Sequence, residues 1–248
     1  GLGGTVDFEL TWDAELLSAL AQKYRIVREE LDVAAPISDE RSLVCSILAH
    51  LDADQGGEKF VDSSQLGFDF AARFEYKVTL GGTCVRAALA IAKLGVSSLV
   101  HLVSIDDNVR RLLPPEIDYL SSATRDTLDP HVIVQFPAGA TVKMLEGEVR
   151  AVHPNRIILV NDPPNRDLVL SPELPDALAG ARAFLPAGFN VMRDPALLVD
   201  RIEFLQQAMT RLPAEAVVFY EEAGFHDTSL RGIVRRDFRG RIDVHSLN

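Results

Sequence analysis

Helical, extended and turn-like rhythms of apolar residues succeed one another along the chain. Residues 14–24 carry apolar side chains at helical spacing, with Thr11 or Asp13 placed to cap a first helix. A charged amphipathic stretch follows at about 26–32. Ser42 to Leu51 is almost continuously apolar and stops at Asp52-Ala53-Asp54-Gln55-Gly56-Gly57, the pattern of a buried strand feeding a polar loop. Leu80-Gly81-Gly82-Thr83 then opens a run from Cys84 to Leu94 that is apolar save Arg86 and Lys93, with Gly95 after it. This predicts a buried helix entered through a diglycine turn. Val96 to Val103 predicts a strand, and Ser104 to Asn108 a turn with a helix cap.

The middle of the chain changes character. His131 to Phe136 and Thr141 to Leu145, joined by Pro137-Ala138-Gly139-Ala140, predict a β-hairpin, and Arg156 to Val160 a further strand. Nearer the end, strands predicted at 183–185, 216–220 and 242–245 alternate with helices. One helix opens at Asp194-Pro195 and runs to about Leu212; the other, 227–238, begins at Asp227. Alternation of this kind predicts an α/β fold, a mostly parallel sheet flanked by helices, with the middle segment forming a small β-rich lid. Ligands of such sheets bind beyond the carboxyl ends of the strands, where Asp52, Asn190, Glu221, Glu222 and Asn248 fall on this reading.

Charge and composition narrow the function classes. With 25 Lys+Arg against 36 Asp+Glu, a net −11, and no basic stripe, nucleic acid is excluded as the expected partner, while a small anionic ligand is not. No apolar run approaches the ~20 residues of a membrane span, and no basic-then-apolar leader is visible, so no membrane partner and a cytoplasmic location are expected. Cys45 and Cys84 are too few for a disulfide framework or a zinc site. The histidines show no metal-ligand spacing, and no G-x-S-x-G elbow is present.

Several residues have chemistry to offer, each beside a plainer role. Gly81-Gly82-Thr83 is either a tight turn or a cradle whose backbone N–H groups meet a ligand. It is neither G-x-G-x-x-G nor a Walker loop. Asp52 either caps its loop or accepts hydrogen bonds from polyol hydroxyls. Glu221 and Glu222 are either solvated or organise Mg²⁺ and its waters, since hard oxygen ligands suit that ion. Arg156, beside Asn155, is either a surface cation or a grip for phosphate.

The segment Gly81 to Gly95 resembles the signature of ribokinase-like sugar kinases, in which a Gly-Gly-Asn turn enters an Ala-rich helix ending in Leu-Gly. Val103-Ser104-Ile105-Asp106-Asp107 is similar to that family's strand and Gly-x-Asp turn. More narrowly, the chain resembles the ADP-dependent glucokinase/phosphofructokinase branch. Ile47 to Ala53 is similar to its first strand ending Asn-x-Asp-Ala, and Asn155-Arg156-Ile157-Ile158 to Asn-Arg-Phe-Ile, with Asp162 and Asn165 following. Ala187-Gly188-Phe189-Asn190 resembles Ser-Gly-Leu-Gln, and Phe219-Tyr220-Glu221-Glu222-Ala223 stands where the family has His-x-Glu-Leu-Ala. Val244 to Asn248 resembles the lead into Asn-x-x-Glu. Thr83, His50 and Phe219 replace the family's Asn, Asn and His, and its Gly-x-Gly-Asp, which holds the catalytic base, has no counterpart in the sequence.

The resemblance implies phosphoryl transfer from ADP to a sugar or sugar phosphate with Mg²⁺. It implies that residues 1–248 are the N-terminal portion of a ribokinase-like α/β domain, with lid segments at about 53–78 and 130–162. Asp52, Gly81, Gly82, Thr83 and Asn190 would contact the substrate, Arg156 a phosphate, and Glu221 with Asn248 the metal through water. Lacking the base, the 248 residues alone are expected not to turn over. The alternatives are a non-catalytic sugar- or nucleotide-binding relative and an ATP-dependent ribokinase-type enzyme.

Overall fold

The computed structural model describes residues 1–238 and 242–247. In chain order the elements begin β1 (Thr5–Leu10), α1 (Ala14–Lys23), α2 (Glu40–Asp52), β2 (Gly57–Phe60), α3 (Ser64–Ala71), β3 (Tyr76–Gly81) and α4 (Thr83–Ala92). They continue with β4 (Ser98–Leu102), α5 (Asp107–Leu112), β5 (Ile117–Ser121), β6 (His131–Phe136), β7 (Thr141–Lys143), β8 (Glu148–Arg150) and β9 (Asn155–Val160). The last are α6 (Pro163–Asp167), α7 (Leu174–Leu178), β10 (Ala183–Phe184), α8 (Pro195–Met209), β11 (Val217–Glu222), α9 (Thr228–Phe238) and β12 (Val244–Leu247). Two compact units result: Gly1–Thr5, Leu80–Leu128 and Pro163–Asn248 form the first, Val6–Thr79 and Asp129–Asp162 the second. Among the described residues no helix is long and apolar enough to cross a membrane.

The first unit is built on parallel strands. β10, β11 and β12 pair in that order, and β4 pairs with β5. Residues 1–3 lie between the two groups: Leu2 N–H donates to Leu185 O at 3.0 Å, and Gly3 N–H to His101 O at 3.0 Å. The core is aromatic and aliphatic, with Phe184, Phe189, Leu198, Ile202, Tyr220, Val234 and Phe238 all buried. Asp194 caps α8 as its sequence predicts, accepting from Ala196 N–H at 2.8 Å with Pro195 at the first helical position. The helix α4 is buried only along Cys84, Val85 and Ala88; Ile91 and Leu94 are exposed, so the expectation of a buried helix holds for one stripe only.

His101, on β4, is fully buried and its Nε2 accepts the Ser171 N–H at 2.9 Å. Burial pushes its pKa down to about 4. An unfolded chain titrates this side chain near ~6.5, so between the two values only the unfolded state takes the proton. Stability therefore falls as pH drops through that window, by about 3 kcal/mol in all. His101→Gln keeps an acceptor for Ser171 and cannot titrate; its urea midpoint should change less between pH 6.5 and 4 than that of the parent. Equal slopes would mean that the folded protein protonates His101 freely.

The second unit holds a five-stranded sheet in the order β2-β9-β6-β1-β3. β1 runs parallel to β6 and β2 to β9, whereas β6 and β9 are antiparallel. Two sequence expectations are corrected here. Ser42 to Leu51 is the helix α2, not a strand: Asp39 caps it by accepting from Ser42 N–H at 2.7 Å. Leu43, Val44, Ile47, Leu48, Ala49 and Leu51 are all buried, and a helix sunk on most sides reads as one apolar run, as a core strand does. The expected hairpin of 131–136 with 141–145 does not form. β6 pairs with β1 and β9, while β7 pairs with β8. The stretch 26–32 contains only a short 3₁₀ turn, Arg28–Glu30.

Candidate active site

The register of the five-stranded sheet sorts its side chains onto two faces, since neighbours alternate along a strand. Phe8 stands opposite Val132 and Leu10 opposite Val134, and these continue to Leu159 and Ile157 on β9. This is the apolar face, covered by α3; the Phe68 and Phe8 rings meet edge to face at 5.7 Å. The other face carries Asp7 opposite His131, Glu9 opposite Ile133, Gln135 opposite Arg156, and Glu58 opposite Ile158. Thr79 adds a hydroxyl that donates to Glu9 at 2.7 Å. Polar and charged side chains thus gather on this face, where Asp7 and Ile133 are buried.

His131 is the centre of that face. Its Nε2 lies 3.1 Å from Asp162 Oδ2, and both Asp162 and Asp7 are buried. Burial works against a charged imidazole, but the Asp162 hydrogen bond and the negative charges of Asp162, Glu58 and Asp7 outweigh it and raise the His131 pKa. Asp7 and His131 are candidates that the sequence reading lacks. Their signal is present, because Val6, Phe8 and Leu10 alternate with Asp7 and Glu9 over a single strand. The first strand of the chain is thus Thr5–Leu10, and the segment Ile47 to Ala53 matched to a first strand is the end of α2. Asp52 consequently closes a helix, where Arg28 Nη1 approaches its Oδ1 at 3.2 Å.

Arg156, the second residue of β9, lines a cleft of about 730 Å³ with Trp12, Gln135, Phe136, Pro137, Pro154 and Asn155. No acidic side chain lines this cleft.

In the first unit, Gly81 ends β3 and Gly82 precedes α4 with φ +83°. A Cβ on Gly82 would lie 2.9 Å from the Gly4 Cα, so two backbones meet there. Asn165, buried, donates to Gly4 O at 3.1 Å and fixes the partner segment. Thr83 is exposed at the first position of α4. Packing alone thus accounts for the glycine at 82. Asn190 sits in a 3₁₀ turn, Phe189–Val191, after β10, and Glu221 is half-buried at the carboxyl end of β11. The Phe189 and Tyr220 rings, 6.0 Å apart, hold these two strand ends together. Burial pushes the Cys84 thiol up to about 11, and the charge of Glu221 contributes, which puts Glu221 within electrostatic reach of the start of α4.

Glu222 is not the solvated neighbour that the sequence suggests. It is buried and accepts from Arg235 Nε at 2.8 Å and from Arg231, with His245 Nε2 at 3.3 Å. Hydrogen bonds from Arg235 and Arg231 hold its carboxyl at about 2, against the cost of burial. Asn248 lies outside the described residues. Among the described residues no three His, Cys, Asp or Glu side chains converge as a metal site. Glu221 by itself fits Mg²⁺ only as an ion carried mostly by water and phosphate oxygens, which is how that ion is commonly held.

A sequence profile described as the ADP-specific phosphofructokinase/glucokinase conserved region matches residues 1–248. The chain belongs to that family. A phosphofructokinase from Pyrococcus horikoshii OT3 with AMP superposes with TM-score 0.69 at 13% identity, covering 99% of this chain and 62% of that one. A hypothetical ADP-dependent phosphofructokinase from the same organism gives TM-score 0.68 at 12% identity, with the same coverage of 99% and 62%. An ADP-dependent kinase in complex with fructose-6-phosphate and ADPβS gives 0.69 at 12% identity, covering 100% of this chain and 55% of that one. This member of the ADP-specific family therefore shares their α/β fold and spans about three fifths of the length of the two Pyrococcus chains. A comparison with curated protein sequences finds no match.

Proposed function

We propose that the protein serves ADP-dependent phosphoryl transfer to a sugar or sugar phosphate, with Mg²⁺. Family membership supports the donor and the reaction class. The observation that carries the acceptor class is the in-register pair Asp7 and His131 on a polar sheet face, with Asp162 hydrogen-bonded to the imidazole. Carboxylates accept from hydroxyls, and an imidazole held by a carboxylate has a fixed orientation, so the set suits a polyol.

The roles follow from that set. Asp7 and Glu9 accept bonds from sugar hydroxyls, and His131 supplies a donor. Gly81, Gly82, Thr83 and Asn190 offer backbone and side-chain contacts to the substrate, and Arg156 meets a phosphate. Asp52 is not retained, because Arg28 engages its carboxylate. Bound Mg²⁺ would neutralise charge on the transferring phosphates, with Glu221, and Asn248 after it, holding its waters.

Incubation with ADP, Mg²⁺ and either glucose or fructose 6-phosphate should release AMP, measured by phosphorus NMR. Asp7→Asn should lower kcat/KM at least about tenfold through KM for the sugar. Absence of AMP with both acceptors, while sugar still binds, would support the second reading, a binding protein without turnover. Phe219, where the family has His, is the residue that favours it. Product from ATP but not ADP would point to the ribokinase type instead.

A further inference from the structure

The segment that leads into Arg156 is tied down by a residue outside the proposed contacts. Asp54 follows α2 with φ +52°, a left-handed conformation uncommon for a residue with a side chain. Its Oδ1 accepts the backbone N–H groups of Val152 and His153, each at 2.8 Å, and its Oδ2 lies 2.5 Å from His153 Nδ1. Two residues on, Gly56 presses against the next part of the same segment. A Cβ there would fall 2.1 Å from Asn155 Oδ1 and 2.7 Å from Arg156 O. The loop after α2 therefore clamps residues 152–156 at both ends, by hydrogen bonds first and by backbone contact second.

What the clamp delivers is a guanidinium that no carboxylate among the described residues neutralises. Among the described residues the Arg156 side chain has no ion pair, and its backbone N–H donates to Asn155 Oδ1 at 3.0 Å. Trp12, the one tryptophan of the chain, lines the same cleft. Asp54 fixes residues 152 and 153, the ring of Pro154 fixes its own φ, and β9 begins at Asn155, so the backbone direction at Arg156 is set upstream.

We propose that Asp54 is a positioning residue: by fixing residues 152 and 153 it sets the start of β9 and so aims Arg156 into the cleft beside Trp12. The inference rests on the reading of Arg156 as a phosphate contact for its importance, but its geometry is testable without that reading.

The probe is the quenching of Trp12 emission by iodide and by neutral acrylamide at constant ionic strength. A nearby cation concentrates iodide and leaves acrylamide unaffected, so the ratio of the two quenching constants reads the charge beside the indole. Arg156→Gln should lower that ratio to about half. Asp54→Gly, which keeps the left-handed backbone and deletes the carboxylate, should lower it nearly as far, and Asp54→Asn should restore most of it through its amide oxygen. Circular dichroism of Asp54→Gly should match the parent. Were that variant unfolded, the Asn variant decides by comparison with Asp54→Ser, too short to reach both N–H groups. A parent-like ratio in Asp54→Gly, or no response to Arg156→Gln, overturns the inference. Titrating fructose 6-phosphate on the same emission tests the phosphate reading separately: a response lost in Arg156→Gln supports that reading and no response removes it. In either case the iodide ratio still decides the role of Asp54.

Discussion

Gly82→Ala is expected to lower stability by about 3 kcal/mol or more, a fall of roughly 6–12 °C in the thermal midpoint for a chain of this size. Two effects add. At φ +83°, ψ 137° the backbone occupies a region that side chains scarcely tolerate. The new methyl would also stand 2.9 Å from the Gly4 Cα and 3.3 Å from the Gly4 N, and backbone cannot swing aside as a side-chain tip does. Gly95→Ala separates the two effects. Gly95 has φ +76°, and a methyl placed there would meet nothing within 4 Å, so only the conformational cost, about 1 kcal/mol, applies. If both substitutions cost the same, the approach of the two backbones is looser than described.

Phe238→Ala should cost about 3–5 kcal/mol by urea denaturation, the range for emptying an aromatic site in a packed core. The ring is fully buried, 5.3 Å from Phe189 and 6.4 Å from Tyr220. Those two rings flank Asn190 and Glu221 in sequence, so the cavity opens beneath both strand ends. Phe238→Leu refills most of the volume and should cost less than half as much as the alanine change. A loss under about 1 kcal/mol for the alanine variant would show that α9 contributes little to this core.

The sequence makes the first unit readable and the second far less so. Strands and helices of the first unit keep their local markers: Asp194-Pro195 at the head of α8, Asp106 accepting from Val109 N–H at 2.9 Å at the head of α5, and glycines ahead of α4. In the second unit tertiary pairing decides. The apolar run of the largely buried α2 does not distinguish it from a strand, and Asp39, which caps it, is the one local marker that points to a helix. Nothing in the loop Pro137 to Ala140 reports that β6 takes β1 and β9 as neighbours instead of β7. The site is subject to the same limit. Glu221 and Asn190 follow from strand ends that the alternation reveals; Glu221 lies near the end of β11, and Asn190 in the 3₁₀ turn that follows the neighbouring β10. Asp7 shows in the alternation of its own strand, but its pairing with His131 emerges only when two strands over a hundred residues apart are laid side by side in register. The placement of Asp52 beyond a strand end is the direct result of taking α2 for a strand.

The weaving of the chain bears on how it folds during synthesis. The five-stranded sheet has its last strand once Val160 has left the ribosome, whereas the parallel sheet of the other unit waits for β10, β11 and β12. A nascent polypeptide will therefore pass through a stage at which one sheet is closed and β4 and β5 still await the strands that complete the other. Chaperones would meet the exposed inner side of β4 and β5 at that stage, and pulse-labelled, stalled chains released near residue 165 should already resist protease across residues 6–79.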